Sequence, residues 1–378
     1  MEEFFKYKDE VVSLRRDFHM YPELGFEERR TSEKVRKYLE NLGIKTRKMA
    51  KTGVVGYLDN GGDKTIAIRA DMDALPIQEE NDVPYASKIP GKMHACGHDA
   101  HTAMLLVSAK ILSQMKFDGN IRFIFQPAEE GFNGARKMIE EGALEDVDYI
   151  FGLHVWANLP TGVMAITPGP VLANVDSFKI SIRGVGGHGA SPHQTKDPIV
   201  ATAQIISSLQ SIVARNVDPM KMAVVTVGKI VGGTAFNIIP EEVRMEGTVR
   251  TYDDDIHTIV ERRLKEITKN IARAYGCKAR ITYRHMNYAT VNDETLAKIG
   301  KKIASEFMEV VDDLRDMGGE DFSEYARIVP GLFAFLGVRN EEKGIIHPHH
   351  SPRFDIDEDA LIYGVAFEVK MALKLLEI

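Results

Sequence analysis

Residues 94–101 read His94-Ala-Cys96-Gly-His98-Asp99-Ala-His101. Three imidazoles, a thiol and a carboxylate therefore crowd the expected start of a helix. Cysteine thiolate and imidazole are donors for zinc and its neighbours in the transition series. Such density points to a metal or catalytic site. Cys96-x-His98 alone cannot complete one, so other segments must contribute.

Gln126-Pro-Ala-Glu129-Glu130-Gly131 follows an expected strand end. Adjacent carboxylates there face different ways, so one can bind metal while the other handles a proton. A bare Glu-Glu pair without the other groups reads as a solvated acidic turn. His154 sits in Phe151-Gly-Leu-His154-Val155-Trp156, where it is either a satisfied core residue or a ligand. His347-Pro-His349-His350-Ser-Pro-Arg353 is a histidine-rich loop of the kind that binds metal. Asp71-Met-Asp73 lies just past an apolar run, where open α/β sheets place ligands. Gly184-Val-Gly-Gly-His188-Gly-Ala-Ser-Pro192, Asn237 and Arg250 fall in a different stretch. Glycines there allow close backbone approach, and Arg250 offers a fork for a carboxylate.

The elements that must position these groups alternate. Helical periodicity opens the chain, stops at Pro22 and Gly25, and resumes from Glu27 to Leu42. Strands are expected at 54–58, 65–70, 121–125 and 149–155, with helices from His101 to Met115 and at 134–141. This alternation indicates an α/β layer structure. From about Ser177 the order becomes β-α-β-β-α-β, the split βαβ arrangement. Helix–strand alternation then returns to the C-terminus. The expected organisation is one α/β domain, 1–176 and 286–378, interrupted by an α+β domain at 177–285.

The 378 residues carry 48 Lys plus Arg against 55 Asp plus Glu, a net charge of −7. No basic surface for nucleic acid or an anionic membrane is expected. Hydrophobic residues are 44% and charged residues 27% of the chain, which excludes wholesale disorder. Two cysteines rule out a disulfide framework and fit a reducing compartment. The opening lacks the apolar core of a signal peptide, and no run is long enough to span a membrane. A cytoplasmic location is expected.

Taken together, ADMDALP, HACGHDAH, QPAEEG, GLHV, GGHGASPH, MGGEDF and HHSPRF form a set. The set resembles the twentieth metallopeptidase family, in its aminoacylase-like amidohydrolase branch. The likeness runs from the RRDFHMYPELGFEE opening to the terminal helix. It implies a two-metal, aminopeptidase-like α/β catalytic domain with an inserted ferredoxin-like lid that mediates dimerisation. By that resemblance the ligands are Cys96, His98, Glu130, His154 and His350, and Glu129 is the proton-shuttling carboxylate. His188 is the lid histidine, acting in its own or the partner subunit. Asn237 and Arg250 contact substrate, and closure of the lid assembles the site. Two divalent ions are implied, with zinc favoured and manganese, cobalt or nickel as alternatives. The implied reaction is hydrolysis of an N-acyl-L-amino acid by metal-activated water with a Glu base. Alternatives are a carboxypeptidase acting on short peptides, an N-acetyl-diaminopimelate deacetylase and, remotely, a non-catalytic binder of conjugates. A homodimer or homotetramer is expected, with no nucleic-acid or membrane partner.

Overall fold

The computed structural model describes residues 1–378, which divide into two compact units. The first contains 1–171, 291–315 and 321–378; the second contains 172–290 and 316–320. The inserted unit is therefore wider than 177–285. Its first strand starts at Asn174 and its last ends at Asn287, and Asp316–Glu320 joins it from beyond the insert.

The first unit is built on an eight-stranded mixed sheet. Its order is 45–49, 53–59, 120–126, 65–71, 149–160, 331–339, 163–165, 309–311. Thr65–Asp71 is central and buried at every position, as expected of a parallel strand covered on both faces. The helix His98–Ser113 packs beside Lys8–Met20 and Leu361–Leu376. Nearly all of its residues are buried, which explains why its sequence shows little polar face. The edge strand Lys45–Met49 had no sequence signature: its residues KTRKM are mostly exposed, and only pairing with Gly53–Asp59 makes them a strand.

The N-terminal helix anchors the base of this arrangement. Arg15 is fully buried and donates to Asp99 at 2.9 Å, Asp355 at 2.9 Å and Glu358 at 3.2 Å. His19 lies 2.8 Å from the same Asp99 and 3.2 Å from Glu79. Asp99 is thus spent on holding the start of the His98 helix, and it is not available to the metal donors beside it.

Another buried carboxyl, Glu368 on the terminal helix, accepts only the Ser108 hydroxyl, at 2.6 Å. Burial pushes its pKa up to about 8, against the opposing effect of that bond. In the folded state its proton is kept past the pH at which the unfolded chain loses it. Stability from this group is therefore full below about pH 4.5 and declines as pH rises, until the folded carboxyl itself ionises near 8. Glu368→Gln should flatten that decline, a difference on the order of a few kcal/mol at pH 8. Thermal midpoints of both proteins between pH 5 and 9 would check it; parallel curves would refute it.

The second unit is a four-stranded antiparallel sheet, ordered 223–232, 242–251, 174–183, 278–287. Two helices, Pro198–Asn216 and Asp254–Ala274, pack on one face. Strand Asn174–Arg183 alternates buried and less buried positions, sending Phe178, Ile180 and Ile182 toward Ile205, Leu209, Val260 and Leu264. Asp197 caps the first helix through Ile199 N at 2.8 Å, and Pro198 occupies its first turn. A short ribbon pairs Gly187–His188 with Ile238–Ile239. This is the β-α-β-β-α-β topology with one ribbon added. No helix of the chain is long and apolar enough to cross a membrane.

Candidate metal centre

The carboxyl ends of the central strands of the first unit carry the chemistry, as in other open α/β sheets. Gly97, between Cys96 and His98, has φ +88°, and a Cβ there would meet Val155 Cγ2 at 2.2 Å. Only glycine lets the chain turn this tightly from Cys96 into the helix that begins at His98. His350 has φ 63° and Ala128 φ 57°, both left-handed without being glycine. Such strain costs roughly 1–3 kcal/mol each and is stored where side chains must be aimed. His350 is held by its N–H to Ala95 O at 2.8 Å, and Ala128 by its N–H to the buried Glu28 carboxylate at 2.9 Å.

The five residues expected as ligands come together. Donor atoms of Cys96, His98 and His154 lie within 4.8 Å of one another, and so do those of Cys96, Glu130 and His350. The two sets share the Cys96 sulfur. His154 Nδ1–H donates to Val155 O at 2.6 Å, which leaves the Nε2 lone pair facing Cys96 Sγ at 3.5 Å. Burial, with His101 and His349 nearby, holds the His154 imidazole well below its ordinary pKa and therefore neutral. A neutral imidazole with its lone pair inward is what a metal needs.

The donor set fits divalent cations electrostatically as well. His350 Nε2 is 3.2 Å from Glu130 Oε1, and hydrogen bonds to Cys96 and Glu130 push the His350 pKa up to about 10. The anionic donors thus call for positive charge. The ring nitrogens of buried His98 make no hydrogen bond, the nearest carboxylate oxygens being those of Asp73 at 3.5 Å and Asp71 at 3.7 Å. Burial, and then the Glu130 carboxylate, push the Cys96 thiol up. Without a cation it is a poor thiolate, and with one it is a strong donor.

Three positioning groups had weaker sequence signals. Asp73 accepts the N–H groups of both Glu129 and Glu130, at 3.0 and 2.9 Å. It therefore fixes the turn that sends the two glutamates apart. Asp71 is saturated by His101 Nδ1 at 2.6 Å and Arg69 at 2.7 Å. Burial would raise its pKa, but His98, Arg69 and His101 hold it well below the usual carboxylate range. His101 Nε2 accepts from Val155 N at 2.9 Å and so fixes the strand beside His154. The Asp71-Met-Asp73 spacing marked a strand end, but the backbone partner of Asp73 is set by tertiary structure alone. Glu129 is almost fully buried and shares a donor cluster with His98 and Glu130.

The remaining predicted residues belong to the second unit. His188 is exposed and pairs with Ile238, while Gly189 N donates to Asn237 O at 2.8 Å. The ribbon therefore brings His188 and Asn237 together. His188 Nδ1 accepts from Ala190 N at 3.0 Å. Arg250 stands at the other end of strand Glu242–Thr251, half-buried, with Asp176 and Asp316 as its charged neighbours. At roughly 3.4 Å per residue, the eight steps from Glu242 to Arg250 cover about 27 Å of that strand, and the ribbon strand Ile238–Ile239 leads into its Glu242 end.

A family model described as Peptidase family M20/M25/M40 matches residues 67–374. The chain belongs to this family. It is 42% identical over 375 residues to thermostable carboxypeptidase 2 of Saccharolobus solfataricus, covering 97% of this chain and 95% of that one. It is 44% identical over 379 residues to IAA-amino acid hydrolase ILR1-like 2 of Arabidopsis thaliana, covering 98% and 86%. It is 42% identical over 375 residues to N-acetyl-L-cysteine deacetylase of Bacillus subtilis, covering 97% and 88%. Among solved structures, the Bacillus subtilis YXEP protein, a dinuclear metal binding peptidase, superposes with a TM-score of 0.88 at 37% identity, covering 98% and 99%. The protein is a metal-dependent hydrolase of amide bonds with the α/β fold of this family.

Proposed function

We propose that the protein removes the acyl group from N-acyl-L-amino acids. The observation that carries this reading is the convergence of Cys96, His98, Glu130, His154 and His350 beside a separately oriented Glu129. Those five residues would hold two divalent ions, zinc first by donor chemistry, which when bound polarise an amide oxygen and acidify a water. Glu129 takes the proton of the attacking water and delivers it to the leaving nitrogen. Glu130 is turned away from that task toward His350 and Cys96. His188 donates to the oxyanion that develops on the acyl oxygen. Asn237 orients the substrate, and Arg250 binds its free carboxylate.

The His188 ribbon leads into the Glu242 end of strand Glu242–Thr251 and Arg250 stands near its other end, so one small substrate is not expected to reach both within one chain. We therefore infer a homodimer in which the His188–Asn237 ribbon serves the partner's centre. Exposed Phe236, Ile238, Ile230 and Val231 beside that ribbon support an interface there. The free thiols Cys96 and Cys277 suit a reducing, cytoplasmic setting.

Carboxypeptidase action on short peptides is the second reading, favoured by the 42% likeness to a carboxypeptidase. Turnover of N-acetyl amino acids, benzoyl-glycine and dipeptides, measured side by side, separates the two; faster dipeptide cleavage would overturn the first. The same assay tests Arg250. Arg250→Ala should raise KM for free-acid substrates and leave amidated ones nearly unaffected. Equal losses on both would make Arg250 structural.

A further inference from the structure

A second group of metal-type donors lies wholly within the inserted unit, with Arg250 as a charged neighbour of its carboxylate. Asp176 on strand Asn174–Arg183 is fully buried. His285, its registered partner on strand Lys278–Asn287, places Nδ1 at 2.8 Å from Asp176 Oδ1. His257, in the first turn of helix Asp254–Ala274, places Nε2 at 2.9 Å from Asp176 Oδ2. The Tyr283 hydroxyl donates to Asp176 Oδ2 at 2.8 Å.

An ordinary ion pair accounts for this cluster only in part. One protonated imidazole would balance the single carboxylate, yet two converge on it. His257 Nε2, although close, is out of line for a hydrogen bond and has no other partner. His285 Nε2 is buried without a partner as well. The rings of His257 and His285 lie 5.0 Å apart between centroids. One ligand atom from each of the three residues falls within 4.8 Å of the others. The edges of a tetrahedral zinc site are about 3.3 Å, so small rotations would close the set.

We propose that Asp176, His257 and His285 form a divalent-metal site in the inserted unit, distinct from the hydrolytic centre. Two imidazoles and one carboxylate select zinc, cobalt or nickel over magnesium or calcium. Tyr283 would orient the carboxylate through its hydrogen bond to Oδ2, as outer partners of metal ligands do. The side chains of His257 and His285 are 17% and 23% exposed, so the cluster lies near the surface although both Nε2 atoms are buried. The ion would tie the first turn of helix Asp254–Ala274 to two strands of the sheet. Its role is structural, since it brings no acid or base to an amide.

The test compares metal content rather than turnover. Full-length protein is stripped with a chelator, saturated with zinc, passed through a desalting column and measured by elemental analysis. The double variant His257→Gln/His285→Gln should retain one ion per chain fewer than the wild type. A His98→Ala/His154→Ala variant should lose ions from the other centre, so failure there bears on the hydrolytic reading alone. Equal zinc in wild type and the His257/His285 variant would overturn the proposal. Should that variant not fold by circular dichroism, wild-type crystals soaked in zinc decide the matter. An anomalous peak between Asp176, His257 and His285 is expected, and its absence would overturn the site.

Discussion

Replacing Glu129 by Gln is expected to leave bound metal in place and to lower hydrolysis by about 10²–10⁴-fold, the usual contribution of a positioned acid–base group. Glu130→Gln should do the reverse in order, losing metal affinity first and rate as a consequence. The two side chains are neighbours in sequence, and Asp73 grips both of their backbone N–H groups. Their proposed roles differ because the backbone does not continue as a helix past Glu129: Glu130 has ψ 80° and Gly131 φ 81°. Glu130 is thereby directed to His350, 3.2 Å away, and to the set that includes Cys96. Metal content and rate measured on both variants separate the roles. Reversed phenotypes would mean that the base is Glu130.

The second large effect concerns the inserted unit. His188→Ala should retain metal at the hydrolytic centre and lose about 10²–10³-fold in kcat, the cost of one oxyanion donor in comparable hydrolases. If the ribbon serves the partner's centre, mixing His188→Ala with Glu129→Gln restores activity. In a mixed dimer one site would combine an intact Glu129 with an intact His188. Random pairing of equal amounts then gives about a quarter of the wild-type rate. No recovery after subunit exchange, confirmed by mass spectrometry of the mixed dimer, would place His188 in its own subunit's site.

Much of this was legible in the sequence for identifiable reasons. Cys96 and His98 are close because they flank a glycine turn at a helix start, a local feature. Strands 65–71, 120–126 and 149–160 were legible over 65–70, 121–125 and 149–155 as mostly apolar runs, as buried parallel strands are. The split βαβ order of the insert followed from alternating periodicities. Other features depend on contacts that no window of sequence contains. Asp99 sits among the histidines of the motif, yet it belongs to Arg15, 84 positions away. Asp73 reads as a strand-end carboxylate, and its task is to hold amides 56 and 57 positions later. Asn237 and Arg250 both lie on the insert as substrate-binding candidates, yet Arg250 stands at the end of strand Glu242–Thr251 away from the ribbon that carries Asn237 and His188. The Asp176, His257 and His285 cluster is not legible in the sequence, because its members are scattered over more than a hundred residues and match no spacing rule.

We propose that this chain hydrolyses amide bonds only with metal held by Cys96, His98, Glu130, His154 and His350. The most direct measurement is the initial rate of N-acetyl-amino-acid hydrolysis by protein stripped of metal, verified by elemental analysis, before and after zinc, cobalt, nickel or manganese is restored under reducing conditions. The rate should vanish on stripping and return with added metal in the wild type, but not in His98→Ala/His154→Ala. Hydrolysis at the full rate by verified metal-free protein would contradict that requirement.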